Sequence, residues 1–233
     1  MRVLFVAATE FEIQNLKVKI QNIEDSQDLR VKNQGLESSQ QSPITDNKSL
    51  ITNHYSLLVT GVGMVATAYA LGRELAINKY DLAINLGIAG SFDRSIALGD
   101  VVEITQDTLA ELGAEDEETF IPINQMGFGE GEFVATAKLS DFYKDIELKQ
   151  ASAITVNTVH GNEASIQKLQ QRLAVQIESM EGAAFFYVCR EAGVPCLQIR
   201  AVSNYVEKRN RDAWQIGSAI KNLNTFAMEL LNF

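Results

Sequence analysis

Residues 178–205, ESMEGAAFFYVCREAGVPCLQIRAVSNY, constrain the architecture of this chain more than any other stretch. Glu181 heads a helix of small residues, Gly193-Val194-Pro195 makes a turn, and the apolar run that follows ends in Ser203-Asn204. A helix that feeds a buried strand is the building unit of an α/β sheet. In open sheets of that class, ligands bind where strand ends and helix starts share one edge. Glu181 and Asn204, 23 positions apart, are therefore expected to meet over one small molecule.

The rest of the chain repeats this grammar. Arg2 to Ala8 (RVLFVAA) is a near-continuous apolar run, as expected of a strand covered on both faces. Thr9-Glu10-Phe11-Glu12 opens a helical pattern through Ile13, Leu16 and Ile20. Thr9 and Glu12 fit the S/T-x-x-E capping box, so Glu12 read alone is a helix-start residue reaching back to an amide. Phe11, between two carboxylates, is expected in the core. Residues 22–49 lose periodicity and fill with Ser, Gln, Asn and Asp, which reads as a mobile surface excursion. Leu50 to Thr60 is strand material broken at Asn53-His54, with His54 in an exposed turn.

Gly61-Val62-Gly63-Met64-Val65-Ala66 matches G-x-G-x-x-A between a strand and a helix, the dinucleotide fingerprint. That reading needs an acid at the end of the next strand. Asp81 instead precedes the strand DLAINLG, so its carboxylate lies at the wrong end. Glycines that let backbone approach a smaller ligand are the better reading. A turn is expected at Ile88–Ser91, a strand at Val101 to Thr105, and a lid or solvated loop over 106–131, where acidic residues and FGEGEF dominate. A further strand, Lys149 to Val156, ends in Asn157-Thr158-Val159-His160-Gly161. His160 touches ligand or is structural, since no acid or metal partner is visible beside it. Helices are expected from about Asn162 to Arg172 and, amphipathic, from Ala213 to Leu231. Six to eight strands alternating with about five helices, without repeats, give a single α/β domain over residues 1–233 with a mostly parallel sheet.

Composition removes whole classes of partner. Thirty acidic against twenty basic residues leave a net charge of -10 and a pI near 4.8, so no basic stripe exists for nucleic acid or an anionic membrane. Cys189 and Cys196 have neither metal-ligand nor C-x-x-C spacing and read as buried thiols. The apolar run after Met1-Arg2 is too short for a signal-peptide core, and no later run reaches membrane-spanning length, so a cytoplasmic protein is expected.

Ala8-Thr9-Glu10-Phe11-Glu12, Thr60-Gly61-Val62-Gly63, Asn85–Gly90, Gly99-Asp100, Ser179–Ala184 and Arg200–Asn204 stand in the order seen in the nucleoside phosphorylase/nucleosidase superfamily. The chain resembles that superfamily over nearly its whole length, except about residues 22–49 and weakly 113–132, and within it is most similar to the futalosine hydrolases of a menaquinone pathway. The resemblance implies a three-layer sandwich with a central mixed, mostly parallel, twisted sheet flanked by helices. It also implies a homodimer or higher oligomer and a reaction that needs neither metal nor organic cofactor. Glu12 matches the position that activates water, Glu181 the one that binds the ribose hydroxyls, and Met180 packs on the sugar. Gly63, Ala89, Gly90, Val159, His160 and Ser203 are the expected further substrate contacts.

These positions make chemical sense. Hydrolysis of an N-ribosyl bond passes through an oxocarbenium-like sugar, so it needs a water-activating base, acceptors for the ribose hydroxyls and stabilisation of the leaving base. Phosphate is the competing nucleophile in this superfamily, but Glu10 and Glu12 at the helix start repel a dianion. Asn204 stands where adenine-releasing nucleosidases carry an aspartate. An amide NH₂ donates to the 6-oxo group of hypoxanthine, where a carboxylate is repelled. The alternative for Asn204 is an N-cap pair with Glu207. A futalosine carboxylate calls for a cation, and Arg209 or Arg211 is expected to meet it, with Lys208, Arg73 and Arg94 as further options. The rival readings are a methylthioadenosine/adenosylhomocysteine or aminodeoxyfutalosine nucleosidase, a purine nucleoside phosphorylase and a non-enzymatic nucleoside-binding module.

Overall fold

The computed structural model describes residues 1–33, 50–51 and 55–231, with side chains described throughout except at 24–33 and 50–51. The first half runs β1 (Val3–Ala7), a 3-10 turn (Glu10–Ile13), α1 (Gln14–Asn33), β2 (Leu50–Ile51), β3 (Tyr55–Val59), α2 (Met64–Ile77), β4 (Leu82–Ser91) and β5 (Val101–Leu109). The second half runs β6 (Gly113–Asp116), β7 (Thr119–Pro122), β8 (Glu132–Val134), α3 (Leu139–Phe142), β9 (Lys149–Thr155), α4 (Glu163–Arg172), β10 (Ile177–Ser179), α5 (Gly182–Ala192), β11 (Cys196–Tyr205) and α6 (Ile216–Glu229).

One mixed sheet takes the strands in the order β10-β9-β5-β11-β4-β1-β3-β2, with β8 on β5. β1 pairs parallel with β3 and β4, and β4 parallel with β11, whereas β11 and β5 are antiparallel. The apolar run of β1 is explained by alternation across a sheet covered on both sides. Val3, Phe5 and Ala7 join the core under α1 and α6, with Ile13, Leu16, Leu223 and Phe226. Leu4 and Val6 join the core under α2 and α5, with Leu71, Leu75, Phe185 and Cys189. The architecture is thus mixed α/β with a central mixed sheet and helices on its faces. β10 pairs parallel with β9 and antiparallel with β4, so β4, β11, β5, β9 and β10 close on themselves at one side of the sheet.

Several elements depart from the pattern read in the sequence. α1 continues to Asn33 instead of breaking up at 22, and residues 34–49 and His54 lie outside the described residues. The sequence of residues 22–33, NIEDSQDLRVKN, holds few apolar residues and so offers no stripe to announce a helix. β4 continues through Ile88–Ser91, because β11 and β10 pair with that segment and hold it extended. β5 reaches Leu109, the polar run Gln106-Asp107-Thr108 having hidden its continuation, and the expected loop beyond it contains the β6-β7 hairpin. Cys189 and Cys196 are buried free thiols. Among the described residues, no helix is long and apolar enough to cross a membrane.

Candidate active site

The strand ends of β4 and β11, the β10-α5 junction and the 3-10 turn after β1 surround a cavity of about 550 Å³. Its floor is made by irregular pairing. β11 keeps a parallel register with β4 up to Val202↔Ala89 and resumes it at Asn204↔Gly90, which leaves Ser203 as an extra residue. Such a bulge re-aims side chains locally. The Ser203 hydroxyl donates to Ala89 O (3.1 Å), and the Ser203 carbonyl accepts from Gln215 N–H (2.7 Å), tying the approach to α6 against the strand end. Trp214, Ile216 and Ile220 thereby reach the cavity wall. Asn204 is a strand residue on the cavity, so the N-cap reading does not hold; Glu207 pairs with Arg94 instead.

Glu12 is buried and keeps its capping bonds. Its Oε2 accepts from the Thr9 amide (2.9 Å) and the Thr9 hydroxyl (3.0 Å), while Oε1 accepts from Ile88 N–H (3.1 Å). A carboxylate has about four acceptor sites. Three are used here, and the one that remains is on Oε1. Burial pushes the Glu12 carboxyl above its ordinary range. The Ile88 amide, the Arg200 guanidinium and the Thr9 amide pull it back, and the Glu181 charge adds to the rise.

Glu181 is also buried, at the start of α5. Its Oε1 accepts from Gly63 N–H (2.9 Å) and its Oε2 from Met180 N–H (3.3 Å), leaving one acceptor site on each oxygen. The Gly63 amide can be presented this way because φ is 95°, a conformation that favours glycine. Gly63 therefore holds Glu181 and does not line the cavity, contrary to its expected role as a direct contact.

Beneath both carboxylates lies Arg200, 1 % exposed, donating to Ile199 O (3.1 Å) and to Asn85 Oδ1. It faces the charges of Glu181, Glu12 and Asp107, which hold its proton against the lowering caused by burial. Gly87 makes room for the assembly. A Cβ there would sit 3.1 Å from Arg200 Nη1 and 3.2 Å from Glu12 Oε1. The sequence reading missed Arg200 and Gln198, although two polar residues at i and i+2 in an otherwise apolar strand mark one face.

Ala89, Gly90, Val159, His160, Met180, Ser203 and Arg209 line the cavity. Arg211 does not; it stacks over Trp214 at 5.9 Å, with Arg209 over the same ring at 5.0 Å. Arg73 lies over Tyr69 and Arg94 over Tyr205, and neither lines the cavity. Phe11 reverses its expected place in the core. It is 72 % exposed on the cavity rim, because the 3-10 turn points Glu12 and Ile13 inward instead. His160 has the acid partner that its sequence neighbourhood lacks. Its Nδ1 bonds Glu178 Oε2, and its amide donates to Glu178 Oε1 (2.9 Å). Ser179 also lines the cavity, with a buried hydroxyl that has no hydrogen-bond partner. Asp81 lies at the opposite end of β4, accepting from Arg2 N–H (2.7 Å), as the rejection of a dinucleotide site required. Among the described residues, no group of three His, Cys, Asp or Glu is arranged to hold a metal.

The profile of the Phosphorylase superfamily matches residues 5–232. A futalosine hydrolase of Streptomyces coelicolor is 33% identical over 176 residues, spanning 72% of this chain and 75% of that protein. A 5′-methylthioadenosine/S-adenosylhomocysteine nucleosidase of Haemophilus influenzae is 27% identical over 158 residues, spanning 64% and 67%. The structure of a futalosine hydrolase of Helicobacter pylori superposes with a TM-score of 0.74 at 17% identity, covering 100% of this chain and 96% of that one, a likeness of fold. With two buried carboxylates facing one cavity at the strand ends of this fold, the chain belongs to the phosphorylase superfamily and is an N-glycosyl hydrolase within it.

Proposed function

We propose that this enzyme hydrolyses the N-ribosyl bond of futalosine, releasing hypoxanthine and dehypoxanthinylfutalosine, as a cytoplasmic step of menaquinone biosynthesis. The observation that carries the reading is Asn204, an amide and not a carboxylate, on the cavity wall at the end of β11. Its NH₂ donates to a 6-oxo group, which a carboxylate would repel. The purine lies at this end, and the ribose lies between Glu12 and Glu181.

Glu181 offers one acceptor site on each carboxylate oxygen, the number that the two adjacent ribose hydroxyls require. These bonds tighten as the sugar gains oxocarbenium character and contribute several kcal/mol, on the order known for glycosidases. Met180 covers the sugar. The remaining acceptor site on Glu12 Oε1 takes the proton of the attacking water. The carbon–nitrogen bond breaks with its electron pair on the purine, and the water oxygen joins the anomeric carbon. Arg209 stands in the cavity wall for the carboxylate on the 5′ side of the substrate. The buried positive charge of Arg200 compensates the two carboxylates, not an incoming phosphate, which favours water as nucleophile.

The test is base release from futalosine, its 6-amino analogue, methylthioadenosine and inosine, each with and without phosphate. Hypoxanthine from futalosine at a phosphate-independent rate is expected, with a raised KM in Arg209→Ala. Adenine as the main product would move the assignment to a methylthioadenosine-type nucleosidase, and phosphate dependence would make the enzyme a phosphorylase.

A further inference from the structure

The proposed reaction leaves one requirement without a residue: the departing purine carries an electron pair and needs a proton. Asn204 cannot supply it, because an amide is not an acid at neutral pH. Its own contacts are to Ser203 and to the Tyr205 carbonyl (3.1 Å), with no ionisable group among them. The group must lie beside Asn204, carry a proton at working pH and be held in orientation.

The sheet supplies such a neighbour. Asn204 of β11 and Glu178 of β10 are both register partners of Gly90 in β4, one from each side, so a single row runs Asn204, Gly90, Glu178 across the cavity floor. Glu178 is 3 % exposed and holds His160 at two points, its amide and Nδ1. Nε2 is then the ring atom that remains for a ligand in the cavity His160 lines. The ring is flanked edge-on by Phe92 at 6.5 Å.

From this juxtaposition, and resting on the purine nucleoside reading above, we propose that His160 Nε2–H protonates the departing purine while Glu178 holds the ring through Nδ1. The carbon–nitrogen bond breaks, its electron pair passes to the purine, and the Nε2 proton goes to a purine ring nitrogen. Neutral His160 keeps its Nδ1 proton towards Glu178. Water adds its oxygen to the anomeric carbon and gives a proton to Glu12. Transfer of that proton through solvent back to His160 restores both groups.

The charges around His160 support this role. The Glu178 bond raises its pKa above the ordinary value, burial lowers it, Glu111 after β5 raises it and Arg172 at the end of α4 lowers it, with a net rise. Arg209 approaches from the segment after β11, its amide donating to Gly161 O (3.3 Å) and its side chain lining the cavity. A general acid must be protonated to act, so activity is present below the raised pKa and is lost as pH rises through it.

The experiment measures hypoxanthine release from futalosine between about pH 5 and about pH 10 for wild type, His160→Gln and Glu178→Gln. His160→Gln is expected to lose about 100-fold in kcat with KM within about threefold, and to lose the basic limb of the pH profile. Glu178→Gln, which keeps an acceptor for the His160 amide but removes the charge, is expected to move that limb to lower pH. A kcat within about threefold of wild type in His160→Gln, a loss expressed mainly in KM, or an unmoved limb in Glu178→Gln would each overturn the assignment. Wild type that releases no base from futalosine, inosine or methylthioadenosine would overturn the functional reading and the proposal together, a result distinct from wild-type turnover that His160→Gln retains.

Discussion

Burial dominates the behaviour of the Glu12 carboxyl and pushes it up, ahead of the Ile88 amide, the Arg200 charge and the Thr9 amide, which pull it down. A water-activating base must be ionised, so turnover is expected above this raised value and is lost as pH falls through it. The same carboxylate holds the first turn after β1, so its two roles can be separated by exchange for an amide. Glu12→Gln is expected to lose at least about 100-fold in kcat while hypoxanthine still raises its melting temperature. Unimpaired turnover would reduce Glu12 to a helix cap. Phe11 carries a lesson at the same scale. Its neighbours in sequence are both carboxylates, yet one of them, Glu12, goes inside and the aromatic stays on the rim, because the turn and not the polarity decides which side chain faces the sheet.

At the level of elements, the junction of β10 and α5 positions Glu181 by close packing from below. A Cβ on Gly182 would stand 2.0 Å from Asp107 Oδ2 and 2.1 Å from Gln198 Oε1, inside any allowed contact. Those two side chains are joined by a 3.0 Å bond from Gln198 Nε2. The Thr155 hydroxyl, which donates to Asp107 Oδ1 (2.8 Å), accepts from Ala183 N–H (2.8 Å) in the first turn of α5. Gly182→Ala must push α5 off this network. It is expected to cost about 1–3 kcal/mol of stability and to weaken futalosine turnover by displacing Glu181. An unchanged urea midpoint together with unchanged kinetics would show that Asp107 and Gln198 yield freely.

For the molecule as a whole, the same buried network sets a dependence of stability on pH. Burial lifts the Asp107 carboxyl to about 6 from an ordinary 3.8, against the hydrogen bonds of Gln198 and Thr155 and the charge of Arg200. The folded state therefore holds this proton more tightly than the unfolded chain between those values. Its contribution to stability is greatest below about 3.8, declines as pH rises to about 6 and is level above. Asp107→Asn, whose NH₂ can donate to the otherwise unpartnered Gln198 Oε1, is expected to remove that part of the decline, about 3 kcal/mol, from urea unfolding curves across the window. Identical slopes for both proteins would assign the proton elsewhere.

Local patterns determined much of this protein. The apolar runs at β1 and β11 revealed strands covered on both faces, the Thr9-Glu12 spacing gave the helix start, and Glu12, Glu181 and Asn204 stood out as polar residues at element ends. What only the tertiary structure decided is which of these groups meet, and at what distance. The partnership of His160 with Glu178, 18 residues away, depends on β10 pairing with both β9 and β4. The burial of Arg200 among three carboxylates depends on the faces that β11 and β4 turn to α5. Periodicity along a chain reports whether a side chain faces inward; strand register sets which distant side chain it faces there.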